Sequence, residues 1–229
     1  MSQTEKSGFK YQLREFFRVN RGLLIALAVI LFVRGSIVNQ YLIPSGSMIP
    51  TLIVGDRVLV NRVAYDFKLP LMNTSLFRLG EPQRGDIVVF VNPSDGKVMI
   101  KRLIGIPGDE IQVDDGLVKL NGEMTARLEE LTEDFERATA TYPEVMGDKK
   151  FFVQRLRLAP KLPTQSFVVG EGEYLMLGDN RDNSQDSRFW GLVPRELLIG
   201  RAFGILMSFD FGGANEERVQ WQRFFSGLN

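Results

Sequence analysis

The sequence contains no histidine and no cysteine. Without histidine, a Ser-His-Asp triad and any His-ligated zinc or iron site are excluded. Without cysteine, thiol nucleophiles, iron–sulfur clusters, cysteine-bound zinc and disulfide bonds are excluded as well. Any catalysis near neutral pH must therefore use Ser, Thr, Asp, Glu, Lys, Tyr or Arg. No metal or other cofactor is expected.

The chain also lacks an excess of charge of either sign. Its 229 residues include 28 Lys and Arg against 28 Asp and Glu, so the formal net charge is zero. A balanced chain has no overall basic field, and we therefore expect no nucleic-acid partner. Hydrophobic residues make up 44% and charged residues 24%, which is ordinary globular composition with enough chain for a substantial core.

One long apolar run lies near the N-terminus. Gly22–Val33 contains no polar side chain. Arg34-Gly35-Ser36 interrupts the run before Ile37-Val38 resumes it, and the stretch from Gly22 to Val38 is at the short end of a membrane-spanning length. Basic residues are in excess before the run, so the positive-inside rule places that end in the cytoplasm. We expect a cytoplasmic segment at 1–21 and one transmembrane helix at 22–40, with the rest of the chain outside. A cleaved signal peptide and a buried core helix are the alternatives.

Strand-length runs rich in Val and Ile, separated by turn signals, follow the apolar segment. The fold class is therefore predicted to be mainly β. The predicted strands are Arg57–Asn61, Asp86–Val91, Lys97–Ile106, Ile111–Val113, Leu117–Leu120, Ser166–Val169, Tyr174–Leu177 and Ile199–Phe209.

Composition divides the β-rich part of the chain. Between Glu123 and Pro163, Glu and Arg are dense and β-branched residues are few. We interpret 121–166 as an inserted cap region between two parts of the core, 41–120 and 167–212. Within the cap, Thr125–Ala138 is predicted to be a short amphipathic helix. One continuous domain with long loops is the alternative.

The C-terminal segment 213–229 is predicted to be an amphipathic tail. It mixes aromatic and basic side chains. Two placements stay open for it: on a membrane surface, or as a helix packed on the β core.

The segment Ile43–Leu52 is a first candidate for chemistry. Pro44 and Pro50 stiffen the backbone, and Gly46 permits a tight turn that can present a serine hydroxyl to a cleft. The alternative is a solvated Ser/Pro linker. Four apolar residues that need a surface to pack on argue against a linker: Ile43, Met48, Ile49 and Leu52.

Lys101 is a second candidate. On a strand it shares a face with Met99 and Leu103, both apolar. Loss of hydration on such a face disfavours the ammonium ion and lowers the pKa of the lysine. In a chain without histidine, such a lysine is a natural general base. The alternative is an edge lysine that protects against aggregation.

A third candidate is the polar loop Gly178–Arg188, which follows the predicted strand Tyr174–Leu177. Its acidic residues do not fall in either register of a calcium-binding loop. The alternative to a functional loop is a structural one, held by its own Asx turns and an Asp186–Arg188 ion pair.

These three segments, in this order after an apolar N-terminal run, resemble the type I signal peptidases, the bacterial leader peptidases of the Ser-Lys protease class. The resemblance covers residues 41–109 and 171–209. It is carried by the residues Pro44–Met48, Pro50–Leu52, Gly55-Asp56, Arg84–Phe90, Lys101-Arg102, Gly105–Asp109, Gly178–Ser184, Asp186–Arg188 and Trp190-Gly191.

The resemblance implies a signal-peptidase-like β-sheet catalytic core and a role for each matching residue. Ser47 is implied to be the nucleophile and Lys101 the general base. The hydroxyl of Ser45 and the backbone N–H of Ser47 are implied to form the oxyanion hole. Three further residues are implied to support the site: Ser184, by orienting the lysine, and the pair Asp186 and Arg188.

The substrate implied by the resemblance is the extended peptide after the apolar stretch of a signal sequence, cut after small residues in the pattern Ala-X-Ala. It is expected to add as a strand beside residues 41–45 and 99–101. The pockets for its small side chains are expected to be lined by Tyr41, Ile43, Pro44, Met48, Leu52 and Ile100.

The expected partners are signal peptides of exported preproteins and the lipid bilayer. The expected state is a monomer in the bacterial inner membrane, crossing it once. Two other functions stay open: a specialised Ser-Lys peptidase of a secretion or conjugation system, and a membrane-tethered β-domain that binds peptides without cutting them.

Overall fold

An N-terminal helix precedes the β-rich part of the chain. The computed structural model describes residues 11–12, 14–68, 75–209 and 219–228. Helix α1 (Arg21–Ser36) has 16 residues, a length of about 24 Å at the usual helical rise. In the described ranges, no helix is both long enough and apolar enough to cross a membrane. Residues 38–40, which the sequence assigned to the anchor, instead form a strand.

Strands are the main regular structure of the described chain, as predicted. They are β1 (Val38–Leu42), β2 (Asp56–Asn61), β3 (Asp66–Lys68), β4 (Ser75–Arg78), β5 (Ile87–Val91), β6 (Val98–Gly105), β7 (Glu110–Asp114), β8 (Leu117–Leu120), β9 (Glu123–Met124), β10 (Thr132–Asp134), β11 (Thr139–Met146), β12 (Lys149–Leu156), β13 (Gln165–Val168), β14 (Glu173–Leu177), β15 (Val193–Pro194), β16 (Leu198–Ser208) and β17 (Ser226–Gly227).

The remaining elements are short helices. The four-residue helix α2 spans Ser187–Trp190, and single 3₁₀ turns span Gly46–Met48, Leu128–Glu130, Arg181–Asn183, Arg195–Leu197 and Trp221–Arg223. The eight strands predicted from the sequence are confirmed to within one residue at each end.

The main sheet runs in the order β1-β2-β16-β5-β6-β14-β15, with β17 paired to β16, and its pairs are antiparallel. The late strand β16 therefore separates β2 from β5. In β2 buried and half-buried residues alternate, with Val58 and Val60 in the core, because one face is packed. Strand β5 is buried along most of its length, since neighbours cover both faces. The mainly β fold class is confirmed.

The cap region packs on the same core as the main sheet. Strands β10, β11 and β12 form a separate three-stranded sheet. One core cluster contains Tyr142, Phe151 and Val153 of the cap together with Ile104 and Leu175 of the main sheet. The predicted helix at Thr125–Ala138 is wrong. Part of that segment is a 3₁₀ turn, and β10 pairs with β11, so tertiary pairing overrode the local pattern.

The end of the C-terminal tail lies against the main sheet. Strand β17 pairs with Gly204 and Ile205 of β16. Arg223 forms an ion pair of 2.6 Å with Asp56, whose side chain is fully buried. The described residues 219–228 therefore pack on the β core, one of the two placements predicted for the tail, through a single 3₁₀ turn and a short strand. Residues 213–218 lie outside the described part of the chain.

Candidate active site

The turn Gly46–Met48 holds the Ser47 side chain in a buried position. Asn180 fixes this turn twice: its backbone N–H donates to the Ser47 carbonyl, and its side-chain amide donates to the Gly46 carbonyl, both at 3.1 Å. Gly178 lies so close that a Cβ there would be 2.6 Å from the Ser47 carbonyl oxygen. The polar loop therefore packs directly against the serine turn and depends on a glycine to do so.

The Lys101 side chain contacts Ser47 from strand β6. It lies on β6, opposite Val88 of β5, and only 2% of its surface is exposed. Its Nζ atom is 2.6 Å from the Ser47 hydroxyl oxygen. A buried amine and an alcohol are thus within proton-transfer distance, without a bridging water.

Burial lowers the pKa of Lys101 from its ordinary value to about 8. The main cause is desolvation of the ammonium ion, which Arg188 reinforces by repulsion. The carboxylates of Asp186 and Asp179 act in the opposite direction and moderate the shift. A pKa near 8 leaves a substantial share of the lysine neutral near physiological pH, as a general base requires.

Ser45 and Ser184 lie beside this pair. The Ser45 hydroxyl is 3.5 Å from the Ser47 oxygen and is exposed at the mouth of the site. The Ser184 hydroxyl is buried, lines a cleft together with Lys101, and has no hydrogen-bond partner in the described part of the chain. Their roles in the oxyanion hole and in orienting the lysine remain predictions.

Asp186 and Arg188 form a buried two-pronged ion pair, with both contacts at 2.8 Å. Asp186 also accepts a hydrogen bond of 3.0 Å from the Gly178 backbone and caps helix α2. Arg188 donates to the Arg181 carbonyl at 2.5 Å. These contacts tie the start of the polar loop to its end, which supports the structural role predicted for the pair.

A second buried ion pair lies beneath the site, and the sequence reasoning assigned it no role. Arg102 contacts both carboxylate oxygens of Asp179, at 2.8 and 2.7 Å, and Thr51 donates to the same carboxylate at 2.5 Å. Because side chains alternate along a strand, Arg102 points to the face opposite Lys101. One feature of the sequence could have indicated this ion pair: Arg102 is a charged residue directly after Lys101 in an otherwise apolar strand.

An open cleft of about 320 Å³ adjoins the Ser47–Lys101 pair. Four of the six predicted pocket residues line it: Tyr41, Ile43, Pro44 and Ile100. Met48 and Leu52 do not, because both are fully buried in the core cluster beneath it. Met99 also lines the cleft, within the region 99–101 beside which the substrate is predicted to add. The sequence reasoning missed other lining residues, among them Val98 and Gln185. Of these, Val98 could have been found, since it precedes Lys101 on the same strand.

A serine hydroxyl beside a buried lysine of lowered pKa, on an antiparallel sheet under an open cleft, fits the class of Ser-Lys serine peptidases. Comparison with known proteins agrees with that class. The family model described as "Signal peptidase, peptidase S26" matches residues 16–207. The chain therefore belongs to this family.

Individual relatives are similar over most of the chain. Signal peptidase I of Pseudomonas aeruginosa is 37% identical over 206 residues, which is 80% of this chain and 69% of that protein. Signal peptidase I of Aquifex aeolicus is 34% identical, covering 81% and 82%. A solved signal peptidase I from Enterococcus faecalis is 31% identical, covers 54% of this chain and 97% of its own, and has a TM-score of 0.36. This protein is an endopeptidase that removes signal peptides.

Proposed function

We propose that Ser47 and Lys101 carry out this cleavage as nucleophile and general base. The observation that carries the proposal is the distance of 2.6 Å between the Ser47 oxygen and the buried Lys101 nitrogen. The lowered pKa of the lysine, about 8, supports the assignment. A lysine in water would be almost fully protonated at pH 7 and could not accept the serine proton.

The reaction proceeds through an acyl-enzyme. Lys101 takes the proton of the Ser47 hydroxyl while the oxygen bonds to the carbon of the scissile carbonyl. The carbon–nitrogen bond then breaks, and the Lys101 ammonium gives its proton to the leaving amine. Water next attacks the ester carbon and loses a proton to Lys101. The bond between that carbon and the Ser47 oxygen then breaks, and the Lys101 ammonium returns its proton to the serine oxygen. The Ser47 backbone N–H and the Ser45 hydroxyl stabilise the negative oxygen in both halves.

The signal peptide binds as an added strand in the 320 Å³ cleft. In the described ranges, residues 40–42 of β1 pair only with β2, and residues Val98–Lys101 of β6 pair only with β5. Two unpaired strand edges therefore border the cleft and can take up the backbone of an extended peptide. Its half-buried and apolar walls, which include Tyr41 and Ile100, suit small side chains such as those of Ala-X-Ala.

Helix α1 anchors the enzyme in the bacterial inner membrane. Its apolar side chains are exposed, among them Leu23, Ile25, Leu27 and Ile30. Exposed residues of this kind along a helix that begins after a basic segment are typical of a single-pass anchor with a cytoplasmic N-terminus. The site then lies on the outer side, where signal peptides emerge during export.

The direct test is cleavage of a fluorogenic Ala-X-Ala peptide by the wild type and three variants. Ser47→Ala and Lys101→Ala are expected to abolish turnover, because each removes one partner of the proton transfer. Ser45→Ala is expected to lower kcat by about 10²–10³-fold, the effect of losing one oxyanion donor. A Lys101→Ala variant with near-normal turnover would contradict the assignment.

A further inference from the structure

A second cleft, of about 410 Å³, adjoins the first at the Ser47–Lys101 pair. The residues common to both clefts are Ser45, Ser47, Met99, Lys101 and Gln185. The clefts therefore meet at the reacting atoms. A peptide that lies across Ser47 can therefore extend from the first cleft into the second.

The polar loop and helix α2 form the outer wall of the second cleft. Phe189 of α2 lines it and has 59% of its surface exposed. An aromatic ring in that position offers the cleft an apolar surface that is more than half exposed. The Asp186 side chain caps the start of this helix. The cap fixes the position of the backbone that carries Phe189.

Gln185 lies at the junction of the two clefts. Its side chain is exposed, although the neighbouring residues Ser184 and Asp186 are both buried. The Gln185 amide makes no hydrogen bond to any part of the chain that the structure describes. A free amide can both donate and accept, which matches the alternating N–H and C=O groups of an extended backbone.

Apart from Lys101, at the junction with the first cleft, the second cleft carries little free charge. Asp182 lines it, but its carboxylate contacts Arg155 at 3.2 and 3.3 Å and accepts from the Leu156 backbone. Only 5% of that side chain is exposed. The cleft thus favours neutral over charged ligand groups.

We propose that the second cleft binds the residues that follow the cleavage site, the first residues of the mature protein. This inference rests on the proposed function, which assigns the first cleft to the signal peptide. Phe189 contacts an apolar side chain within the first three of these residues, and Gln185 hydrogen-bonds to their backbone. We name this surface the leaving-strand cleft.

The test uses two peptides with the same Ala-X-Ala segment. The short peptide has one residue after the scissile bond, and the long peptide has three, including an apolar one. For the wild type, kcat/KM is expected to be about tenfold higher for the long peptide, the effect of one partly buried apolar contact. Phe189→Ala is expected to remove most of that gain and to lower kcat/KM for the short peptide by much less than for the long one. Gln185→Ala is expected to reduce the gain as well.

Phe203→Ala is the matched control, since Phe203 is an exposed aromatic residue that does not line the cleft. It is expected to cleave both peptides like the wild type. Equal rates for both peptides in the wild type, or an equal loss on both in Phe189→Ala, would overturn the leaving-strand cleft. If the wild type cleaves neither peptide, the proposed function itself fails.

Discussion

Lys101 combines two properties that usually exclude each other: it is a strand residue in the packed part of the sheet, and it carries an ionisable amine. Burial keeps the amine next to the Ser47 hydroxyl and lowers its pKa to about 8. The same burial makes protonation unfavourable, so the catalytic property and a cost in stability have one origin.

The pH dependence of cleavage should report this lysine. Since neutral Lys101 is the proposed general base, kcat/KM is expected to rise with pH and to level off above a pKa of about 8. The measurement is the pH–rate profile on a soluble peptide. A profile that is flat from pH 6 to pH 10 would contradict the assignment of Lys101 as the base.

Replacing Lys101 with methionine should stabilise the fold while abolishing activity. The folded pKa lies below the unfolded one, so the unfolded state binds more protons and the penalty is complete below pH 8. Lys101→Met is expected to raise the free energy of unfolding at pH 7 by up to about 3 kcal/mol. The gain should shrink as pH rises from 8 towards 10.5. Urea denaturation at several pH values measures it.

Lys97→Met is the control for that measurement, because the Lys97 side chain is 79% exposed. It should leave stability unchanged within error. A Lys101→Met variant less stable than the wild type at pH 7 would show that the ammonium ion is better accommodated than burial indicates.

At the scale of elements, the cap hairpin β11–β12 holds the polar loop in place. Arg181 of the loop forms a fully buried pair with Glu144 of β11, at 2.6 Å. Asp182 contacts Arg155 of β12, and the Gln154 backbone donates to the Asp179 carbonyl at 2.8 Å. The hairpin therefore contributes to the position of a loop that in turn holds the serine turn.

Breaking the buried pair should damage both stability and catalysis. Glu144→Gln leaves Arg181 without its charge partner in a dry site, and a loss of about 3–5 kcal/mol in the free energy of unfolding is expected. The exposed pair Arg157–Glu133 offers the comparison: Glu133→Gln should cost less than about 1 kcal/mol. Thermal denaturation of both variants and the wild type measures the two losses of stability. Similar losses would mean that the cap contact is no stronger than a surface pair.

At the scale of the whole molecule, the sheet, cap and tail share their cores and charged contacts, whereas helix α1 exposes apolar residues such as Leu23 and Ile30. The part of the molecule that carries the site and the part proposed to enter the membrane are thus separate elements. The described C-terminal residues belong to the part of the molecule that carries the site, since Arg223 forms an ion pair with the buried Asp56.

Removing residues 1–36 should separate peptide cleavage from membrane binding. The shortened chain is expected to keep its turnover of a soluble peptide, because no site residue lies in that segment. It is also expected to lose binding to lipid vesicles, which flotation on a density gradient measures. If the shortened chain floats with vesicles as well as the full chain does, α1 is not the main membrane contact.

Much of the fold and of the site was predictable because it depends on local patterns. Short runs rich in Val and Ile, bounded by turn signals, predicted the strands, and the absence of histidine pointed to a lysine on an apolar face as the candidate base. Apolar character alone could not separate core from cleft, so Met48 and Leu52 were assigned to pockets although they lie beneath them. Helix propensity in Thr125–Ala138 was likewise overridden by pairing with β11.

The sequence by itself determined which chemical groups are available: one serine turn between prolines, one lysine within an apolar strand, and a polar loop rich in acid and arginine. Only the tertiary structure decided the distance between Ser47 and Lys101, the clamp by Asn180 and the existence of two clefts that meet at the dyad. The physical reason is that these features join residues far apart in the chain. Their positions follow from packing and burial, which no local pattern contains.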